Sequence, residues 1–357
     1  MASQRELSAT TLDALLSEAR VELDRDKRTN FRIICLSTDL PWERLLQIME
    51  GYFSVSQQGD LYELYASHKK HNKRFHVYLY LYQHPETGAP VLFTLNSYDD
   101  FRRTSGSMIS RTEGLYTLWI HPTEMTDLKE EILTEEGIRL TGFDYDTFGR
   151  AQQYEAERRP GPQRSGSHDS EDAEDVLEEW KLEYGFTPTQ LRFDLPTKGT
   201  FHFDDDGGFV LSRGDTHYIF SEVVESALEK TDPRNELVQA SELSTFDNNG
   251  IDRINEIPIE ITITDTLSYE DADELVDGMK EYEFYPYSYQ AAPGSLLLNG
   301  RVVDERNGGM VSVATDGETM TLLPRYESGF DSLLRFYRFI VEEIDPKTSI
   351  KLLPGNG

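Results

Sequence analysis

Hydrophobic and polar residues alternate most regularly over residues 75–82. The apolar positions are Phe75, Val77, Leu79 and Leu81, and the positions between them are His76, Tyr78, Tyr80 and Tyr82. Alternation over eight residues predicts a β-strand with one buried face and a tyrosine-rich opposite face. The turn-forming residues 85–88 and the apolar residues 91–95 then predict the returning strand of a hairpin.

Elsewhere the same patterns predict a mixture of helices and strands. Apolar spacing of three and four residues predicts helices over 12–24, from residue 39 to Gly51, over 125–133 and over 269–281. Short apolar or alternating runs predict strands at 31–37, 191–195, 257–264 and 284–290, and a hairpin over 200–211. The closing helix, 330–344, is apolar nearly all round and should be deeply buried. We therefore predict an α+β fold with antiparallel sheets and helices packed on one face.

A change in composition near the middle of the chain predicts a domain boundary. Residues 158–175 are rich first in Pro, Gly and Ser and then in acidic residues, which is typical of a linker that runs into a helix. The predicted organisation is an N-terminal α+β domain over 1–157, the linker over 158–175 and a C-terminal α+β domain over 176–357.

A weak internal duplication is the second organisational hypothesis. Thr38, Asp39, Trp42, Glu43 and Gly51 follow a strand in the first half. The second half has the similar series Thr264, Asp265, Tyr269, Glu270 and Gly278, with the spacing shifted by one residue. The ordinary succession of strands and helices in a long chain would give the same pattern, so both explanations remain open.

The charge balance is extreme, with 35 basic and 65 acidic residues and a net charge of −30. Only eleven of the basic residues are lysine. An acidic, lysine-poor surface keeps a protein hydrated in molar salt, where the screening length falls to about 3 Å. The composition therefore predicts a halophilic source, an archaeon in particular, and the alternative is an ordinary acidic cytosolic protein.

Other features predict a cytoplasmic protein without disulfides. The single cysteine, Cys35, lies in an apolar run and is expected to be buried. One cysteine excludes an intramolecular disulfide and any zinc site that needs two thiolates. Neither a signal peptide nor a stretch of eighteen apolar residues is present, so no membrane partner is expected.

Searches for catalytic and cofactor motifs give no match. The chain has no Gly-Lys pair for a phosphate-binding loop, no Gly-x-Ser-x-Gly elbow and no His-Glu-x-x-His pair. The acidic triplet 204–206 and the three histidines 68, 71 and 76 are most simply surface residues. No cofactor and no metal site are predicted.

The region around the tyrosine strand is unusual because it is not acidic. Residues 66–164 carry thirteen basic and fourteen acidic residues, whereas the other 258 residues carry a net charge of −29. The candidate binding residues in this region are Lys69, Lys70, Lys73, Arg74, Tyr78, Tyr80, Tyr82, Arg102, Arg103 and Arg111. The last three bracket a Ser/Thr/Gly segment that the sequence predicts to be a loop able to offer donors to an anion.

Tyrosines on an open sheet face with basic residues at its rim would bind single-stranded nucleic acid, because bases stack and phosphates pair. The simpler explanation is that the same tyrosines pack beneath a helix and the basic residues contact protein, and a small anionic ligand is a third alternative. We therefore predict a non-enzymatic binding or regulatory protein. Its partner would be an acidic protein, a second copy of the chain or nucleic acid. The alternative is a metal-dependent phosphoesterase or nuclease that places arginines on phosphate.

Overall fold

The computed structural model describes ten segments of the chain. They are residues 7–70, 73–147, 165–184, 186–195, 199–248, 251–264, 266–268, 271–291, 297–325 and 329–353. Side chains are not described at 68–70, 73–75, 147, 184, 242–248, 251–255, 271–274 and 290–291. Contacts divide the chain into two compact units, and the α+β class predicted from the sequence is confirmed in both.

The first unit comprises Met1–Asp146, Ser165–Lys181 and Phe186–Thr231. Its helices are α1 (Leu12–Arg25), α2 (Trp42–Glu50), α3 (98–109), α4 (Pro122–Leu133), α5 (Ala173–Tyr184) and α6 (216–240), the last of which continues into the second unit. Its strands are β1 (Phe31–Thr38), β2 (Ser54–Gln58), β3 (Leu61–Lys70), β4 (Lys73–Gln83), β5 (Pro90–Thr94), β6 (Leu115–Thr117), β7 (Arg139–Thr147), β8 (Ser165–Asp169), β9 (Phe186–Leu195), β10 (Gly199–Asp204) and β11 (Gly208–Gly214).

These strands form one sheet in the order β2-β3-β4-β5-β1-β11-β10-β9-β7-β8, and β6 also pairs with β1. Side chains alternate across β1. Phe31, Ile33 and Cys35 enter a core that contains residues of α1, α4, α5 and α6. Ile34 and Leu36 enter a second core on the opposite face, beneath α2 and α3. Helices therefore cover both faces of this sheet, in contrast to the prediction that they would lie on one face.

The predicted hairpin at 200–211 forms as β10 and β11, and its turn depends on a glycine. Gly207 has a φ of 69°, in the left-handed region that glycine adopts without strain. A Cβ at this position would come within 2.5 Å of the carbonyl oxygen of Leu118. Conformation and close packing therefore both favour glycine here.

The division into units differs from the predicted one. Strands β9, β10 and β11, which the predicted boundary assigned to the C-terminal domain, belong to the first sheet because β11 pairs with β1 over residues 31–34. Part of the predicted linker, 165–169, is strand β8 and pairs with β7. Residues 158–164 lie outside the described part of the chain.

The second unit comprises Thr147–Arg164, Leu182–Gly185 and Asp232–Gly357. A two-stranded sheet joins β12 (Glu242–Asn248) to β13 (Ile251–Ile257). A six-stranded sheet has the order β15-β16-β17-β18-β14-β19. Its strands are β14 (Ile259–Thr262), β15 (Phe284–Ala291), β16 (Leu298–Asp304), β17 (Met310–Thr315), β18 (Thr319–Pro324) and β19 (Ser349–Leu352), with helices α7 (Asp271–Glu281) and α8 (330–344).

The two units contain the same arrangement of elements. In the first unit, β1 is followed by α2, four strands, α3 and β6, and β1 pairs with both β5 and β6. In the second unit, β14 is followed by α7, four strands, α8 and β19, and β14 pairs with both β18 and β19. Both sets have the same strand order in the sheet. The shared topology favours an internal duplication over the ordinary succession of strands and helices in a long chain. We call residues 31–117 the first repeat and residues 259–352 the second repeat.

A buried polar network stabilises the second repeat. Asp304 is fully buried and accepts hydrogen bonds from Arg335 Nη1 at 2.7 Å and from Ser332 Oγ at 2.9 Å. Arg335 also donates to the carbonyl oxygen of Tyr282, and its guanidinium lies 5.1 Å from the centre of the Phe284 ring. The closing helix is buried as predicted, and these contacts join it to β15 and β16.

Candidate binding surfaces

The tyrosine face of β4 is partly covered. Tyr80 is 2% exposed, and its hydroxyl donates to the carbonyl oxygen of Leu7 and accepts from the Leu7 N–H, both at 2.7 Å. The Tyr82 ring packs edge-on against Phe220 of α6, with the ring centres 6.4 Å apart. The Tyr80 ring is buried and the Tyr82 ring is half-buried against the core, so the packing alternative describes these two residues.

Tyr78 lies in a half-buried aromatic cluster with residues of β3 and β4. Its ring centre is 5.1 Å from that of Tyr65, and Tyr65 stacks on His76 at 5.8 Å. The Tyr65 hydroxyl and His76 Nδ1 are 2.6 Å apart and share a hydrogen bond. The cluster is therefore held by its own contacts.

The four predicted basic residues of the hairpin tip have no described side chains. Lys69 and Lys70 end β3, and Lys73 and Arg74 begin β4. The strand register pairs Lys69 with Arg74 and Lys70 with Lys73. The backbone therefore places the four residues at one end of the hairpin, and the structure does not describe their side chains.

The predicted anion-binding loop at 102–111 is largely helical. Helix α3 runs through it with a wider π-type turn at Arg102–Gly106, and buries Phe101, Met108 and Ile109. The backbone N–H groups of this segment donate hydrogen bonds within the helix, and Ser105 is fully buried. Arg102, Arg103 and Arg111 nevertheless remain exposed. The loop prediction is wrong because the apolar side chains at 101, 108 and 109 favour a helix on the core.

Arg32 and Tyr98 join the predicted arginines, although the sequence did not single them out. The Arg32 guanidinium lies 5.7 Å from the centre of the Tyr98 ring, and Tyr98 is 55% exposed. Arg102 follows Tyr98 by one helical turn, and its N–H donates to the Tyr98 carbonyl oxygen. Within the described segments, Arg32 Nε has no hydrogen-bond partner. We call Arg32, Tyr98, Arg102 and Arg103 the arginine surface, and Arg111 lies two residues beyond the end of α3.

The electrostatics of Arg32 reflect its position on the sheet. Burial lowers the pKa of the Arg32 guanidinium, and nearby Tyr98 and Asp204 oppose this shift. Arg103 has a carboxylate partner, Asp99, at 3.9 Å on the same helix, and both side chains are well exposed, so that pair is weak. The arginine surface therefore retains positive charge that a partner can neutralise.

A second polar group lies on β9 and β10, further along the same sheet. Arg192 donates to Asp144 at 3.0 Å and to Asp169 at 2.9 Å, so its charge is already paired. His202 is opposite Arg192 in the strand register. Burial, Arg32 and Arg192 lower the pKa of His202 to about 4. His202 is therefore neutral at pH 7.

This shift predicts that the first unit loses stability in mild acid. The unfolded chain binds a proton at His202 near pH 6.5, whereas the folded chain does so near pH 4, so stability falls as the pH drops through this window. The expected loss is about 2–3 kcal/mol. Denaturation at pH 7 and pH 4.5, followed by tryptophan fluorescence, measures it. His202→Gln should lose less stability than the wild type over this window, and an equal loss would contradict the assignment.

The metal-dependent alternative finds no support in the described residues. No group of three His, Cys, Asp or Glu side chains is placed to hold a metal ion within those segments. Asp204 instead accepts a hydrogen bond from the Gly208 N–H in the hairpin turn. Likewise, no helix in the described segments has the length and apolar character needed to cross a membrane.

One pocket of the first unit is lined by several glutamates and by none of the predicted arginines. Helices α4 and α6 and the turn after α4 line it, with Glu131, Glu135, Glu222, Glu225 and Glu229. Burial and the neighbouring glutamates Glu229, Glu86 and Glu222 raise the pKa of Glu225. Lys230 neutralises Glu131 at 2.6 Å. An acidic pocket of this kind does not attract phosphate, so it does not complete a phosphoesterase site.

Comparison with known proteins shows similarity in the middle of the chain and beyond it. Residues 123–206 match the model of a family middle domain, AF_0896_M. They run from α4 through β10 and follow the first repeat in the chain. A protein of Archaeoglobus fulgidus described as uncharacterized is 26% identical over 282 residues, which cover 75% of this chain and 76% of that protein. Neither description names a function.

Proposed function

We propose that this chain is a non-enzymatic binding or regulatory protein of a halophile, and that its first unit contacts an acidic protein through the arginine surface. One observation carries the proposal. The Arg32 guanidinium packs on the exposed Tyr98 ring, and Arg102 follows Tyr98 by one helical turn in the segment 66–164, whose net charge is only −1. Positive potential on one patch attracts and orients an acidic partner.

The covered tyrosines support a protein partner over nucleic acid at this surface. A strand of bases needs successive aromatic platforms, and each stacked base contributes about 1–3 kcal/mol. Tyr80 and Tyr82 are packed against Leu7 and Phe220 and do not provide such platforms. Tyr98 is exposed and is the one aromatic ring of the arginine surface. One ring between arginines is better suited to carboxylates, which guanidinium groups bind in a planar, two-pronged geometry.

Charge reversal tests the proposal. A labelled twenty-residue polyglutamate peptide should bind the wild-type protein in a fluorescence anisotropy titration, more tightly at 0.2 M than at 2 M KCl. The double variant Arg102→Glu/Arg103→Glu should bind roughly tenfold or more weakly, because it replaces attraction by repulsion at two positions. Both side chains are exposed, so the fold should be retained.

The matched control is Arg25→Glu. Arg25 is an exposed arginine at the end of α1, outside the arginine surface. The Arg25→Glu variant should bind the peptide as tightly as the wild type does. Absence of peptide binding to the wild type, or equal losses in the two variants, would refute the proposal. Sedimentation velocity on the same samples shows whether a second copy of this acidic chain is itself the partner.

A further inference from the structure

The outer strand of the first sheet, β2, is open to a further strand. In the described part of the chain, β2 pairs with β3 and lies at the end of the strand order. Four of its five residues are exposed, and the other, Val55, is half-buried against the core beneath α2. An outer strand presents a row of backbone N–H and C=O groups that can pair with a strand of another chain.

The corresponding strand of the second repeat is protected against such pairing. By the shared topology, β15 corresponds to β2, and both are the first strand of their sheets. Pro286 of β15 has no N–H to donate, and the register with β16 shifts between Pro286 and Ser288. Proline and β-bulges keep outer strands from joining another sheet. Strand β2 has the sequence Ser-Val-Ser-Gln-Gln and a continuous register with β3, so it has neither feature.

Charge is a further protective feature that β2 lacks. Charged side chains also keep outer strands from pairing, and the strands at the other ends of the two larger sheets, β8 and β19, contain Asp169 and Lys351. Residues 51–59 contain no charged residue, although 28% of the chain is charged. Seven of these nine residues are exposed. An uncharged edge therefore lies on the surface of a chain whose net charge is −30.

This edge favours a second copy of the chain as its partner. Two copies with a net charge of −30 repel each other wherever acidic surfaces meet, so they approach most easily through an uncharged surface. Strand β2 is also suited to pairing with itself, since no like charges would lie opposite each other. Antiparallel overlap of all five residues places Ser56 opposite Ser56, Val55 opposite Gln57 and Ser54 opposite Gln58.

Tyr52 adds apolar area beside the edge. Its side chain is 45% exposed, and it lies two residues before β2. In the full overlap it comes beside the turn at residues 59–60 of the second copy. Tyrosine is enriched at protein interfaces. Even so, five residue pairs and two tyrosines form a small contact, and small contacts are weak. The association should therefore be reversible and depend on protein concentration.

From these features we infer that the chain forms a homodimer in which β2 pairs antiparallel with β2 of a second copy, about a two-fold axis at Ser56. The first sheets of the two copies then form one continuous sheet. Salt screens the repulsion between two acidic chains, so the dimer is tighter in 2 M than in 0.2 M KCl. Binding of an acidic peptide at the arginine surface has the opposite salt dependence. The inference does not rest on that binding.

Disulfide cross-linking tests the register. Opposite residues of an antiparallel pair have Cα atoms about 4.5–5.5 Å apart, which a disulfide can span. The native Cys35 is buried, so an introduced thiol is the reactive one. With diamide as the oxidant in 2 M KCl, Ser56→Cys should form a disulfide-linked dimer. Ser54→Cys is the matched control, because residue 54 faces residue 58. It should not cross-link alone and should cross-link when mixed with Gln58→Cys.

Sedimentation velocity measures the association itself. The wild type should shift from monomer to dimer as its concentration rises through the micromolar range in 2 M KCl. In 0.5 M KCl, Ser56→Glu should weaken the dimer by roughly two- to fivefold, because it places like charges opposite each other. A mixture of Ser56→Glu and Ser56→Lys should associate more tightly than Ser56→Glu alone. Ser221→Glu makes the same change in net charge at an exposed position of α6 and should associate as the wild type does.

Three results would overturn the inference. The first is a wild type that stays monomeric up to about 1 mM in 2 M KCl. The second is Ser56→Cys that does not cross-link, or that cross-links no faster than Ser54→Cys alone. The third is loss of the dimer in Arg102→Glu/Arg103→Glu, which would place the contact at the arginine surface. Far-UV circular dichroism checks that each variant is folded.

Discussion

Replacing Asp304 with alanine should lower the free energy of unfolding of the second unit by about 3–5 kcal/mol. The substitution leaves Arg335 buried at 8% exposure without its principal carboxylate partner. It also removes the acceptor of the Arg306 N–H and the nearer of the two acceptors of the Ser332 hydroxyl, the other being Asn307 Oδ1 at 3.3 Å. Each buried donor left without a partner adds to the cost.

Denaturant unfolding followed by far-UV circular dichroism measures this loss. All three tryptophans of the chain, Trp42, Trp119 and Trp180, belong to the first unit, so tryptophan fluorescence gives an internal reference on the same sample. The control Asp277→Ala breaks an exposed ion pair with Lys280 and should change little. A loss below about 1 kcal/mol in Asp304→Ala would show that the network does not stabilise the unit.

Replacing both Asp304 and Arg335 by apolar residues separates the cost of burying an unpaired charge from the contribution of the ion pair. The double variant Asp304→Leu/Arg335→Leu removes both charges together, so neither remains buried alone. It should be more stable than Asp304→Ala, because apolar residues often replace a buried ion pair without loss. If the double variant is the less stable one, the hydrogen bonds of Arg335 to Tyr282 and Glu283 matter more than the ion pair.

Tyr80→Phe should release the N-terminal segment from the first sheet. The Tyr80 hydroxyl is both donor and acceptor for the Leu7 backbone, and both residues are buried. Removing it leaves a buried N–H and a buried carbonyl unpaired, at a cost of about 1–3 kcal/mol for each. We expect a local effect, because detachment of the segment lets water reach those groups.

Hydrogen exchange measures this release at the Leu7 amide, which should exchange faster by roughly two orders of magnitude or more in Tyr80→Phe. Amides of β1 and β5 should keep their protection. Tyr82→Phe is the control, since its ring packing on Phe220 does not involve the hydroxyl. Unchanged exchange at Leu7 would show that packing alone holds the segment.

Local periodicity predicted most of the helices and many of the strands. Residues 75–82 form the core of β4, and the helices at 12–24, 269–281 and 330–344 are observed with small changes at their ends. Strand β8 was missed because its sequence, Ser-Gly-Ser-His-Asp, is composed of turn-forming residues. It forms through pairing with β7, which no local pattern reveals.

The candidate surfaces were harder to predict because they depend on long-range contacts. Arg32 and Tyr98 meet because α3 packs over the sheet face that carries Arg32, although 65 residues separate them in the chain. The alternating tyrosines of β4 and β15 look alike in sequence. Their exposure differs because Leu7 and α6 cover Tyr80 and Tyr82, whereas β15 is the edge strand of its sheet and a one-residue shift in its register places Tyr285 and Tyr289 on opposite faces.

One edge of strand β1 pairs with two different strands. Residues 31–34 pair with β11 and residues 36–38 pair with β6, whereas in the second repeat β19 alone pairs with all four residues of β14 on that side. A proteolytic fragment that ends after residue 117 would therefore expose the unpaired edge of an apolar strand, which is a template for aggregation. The fragment 259–352 retains its own closing strand. The first repeat therefore relies on β11, from the segment that follows it, to complete this edge.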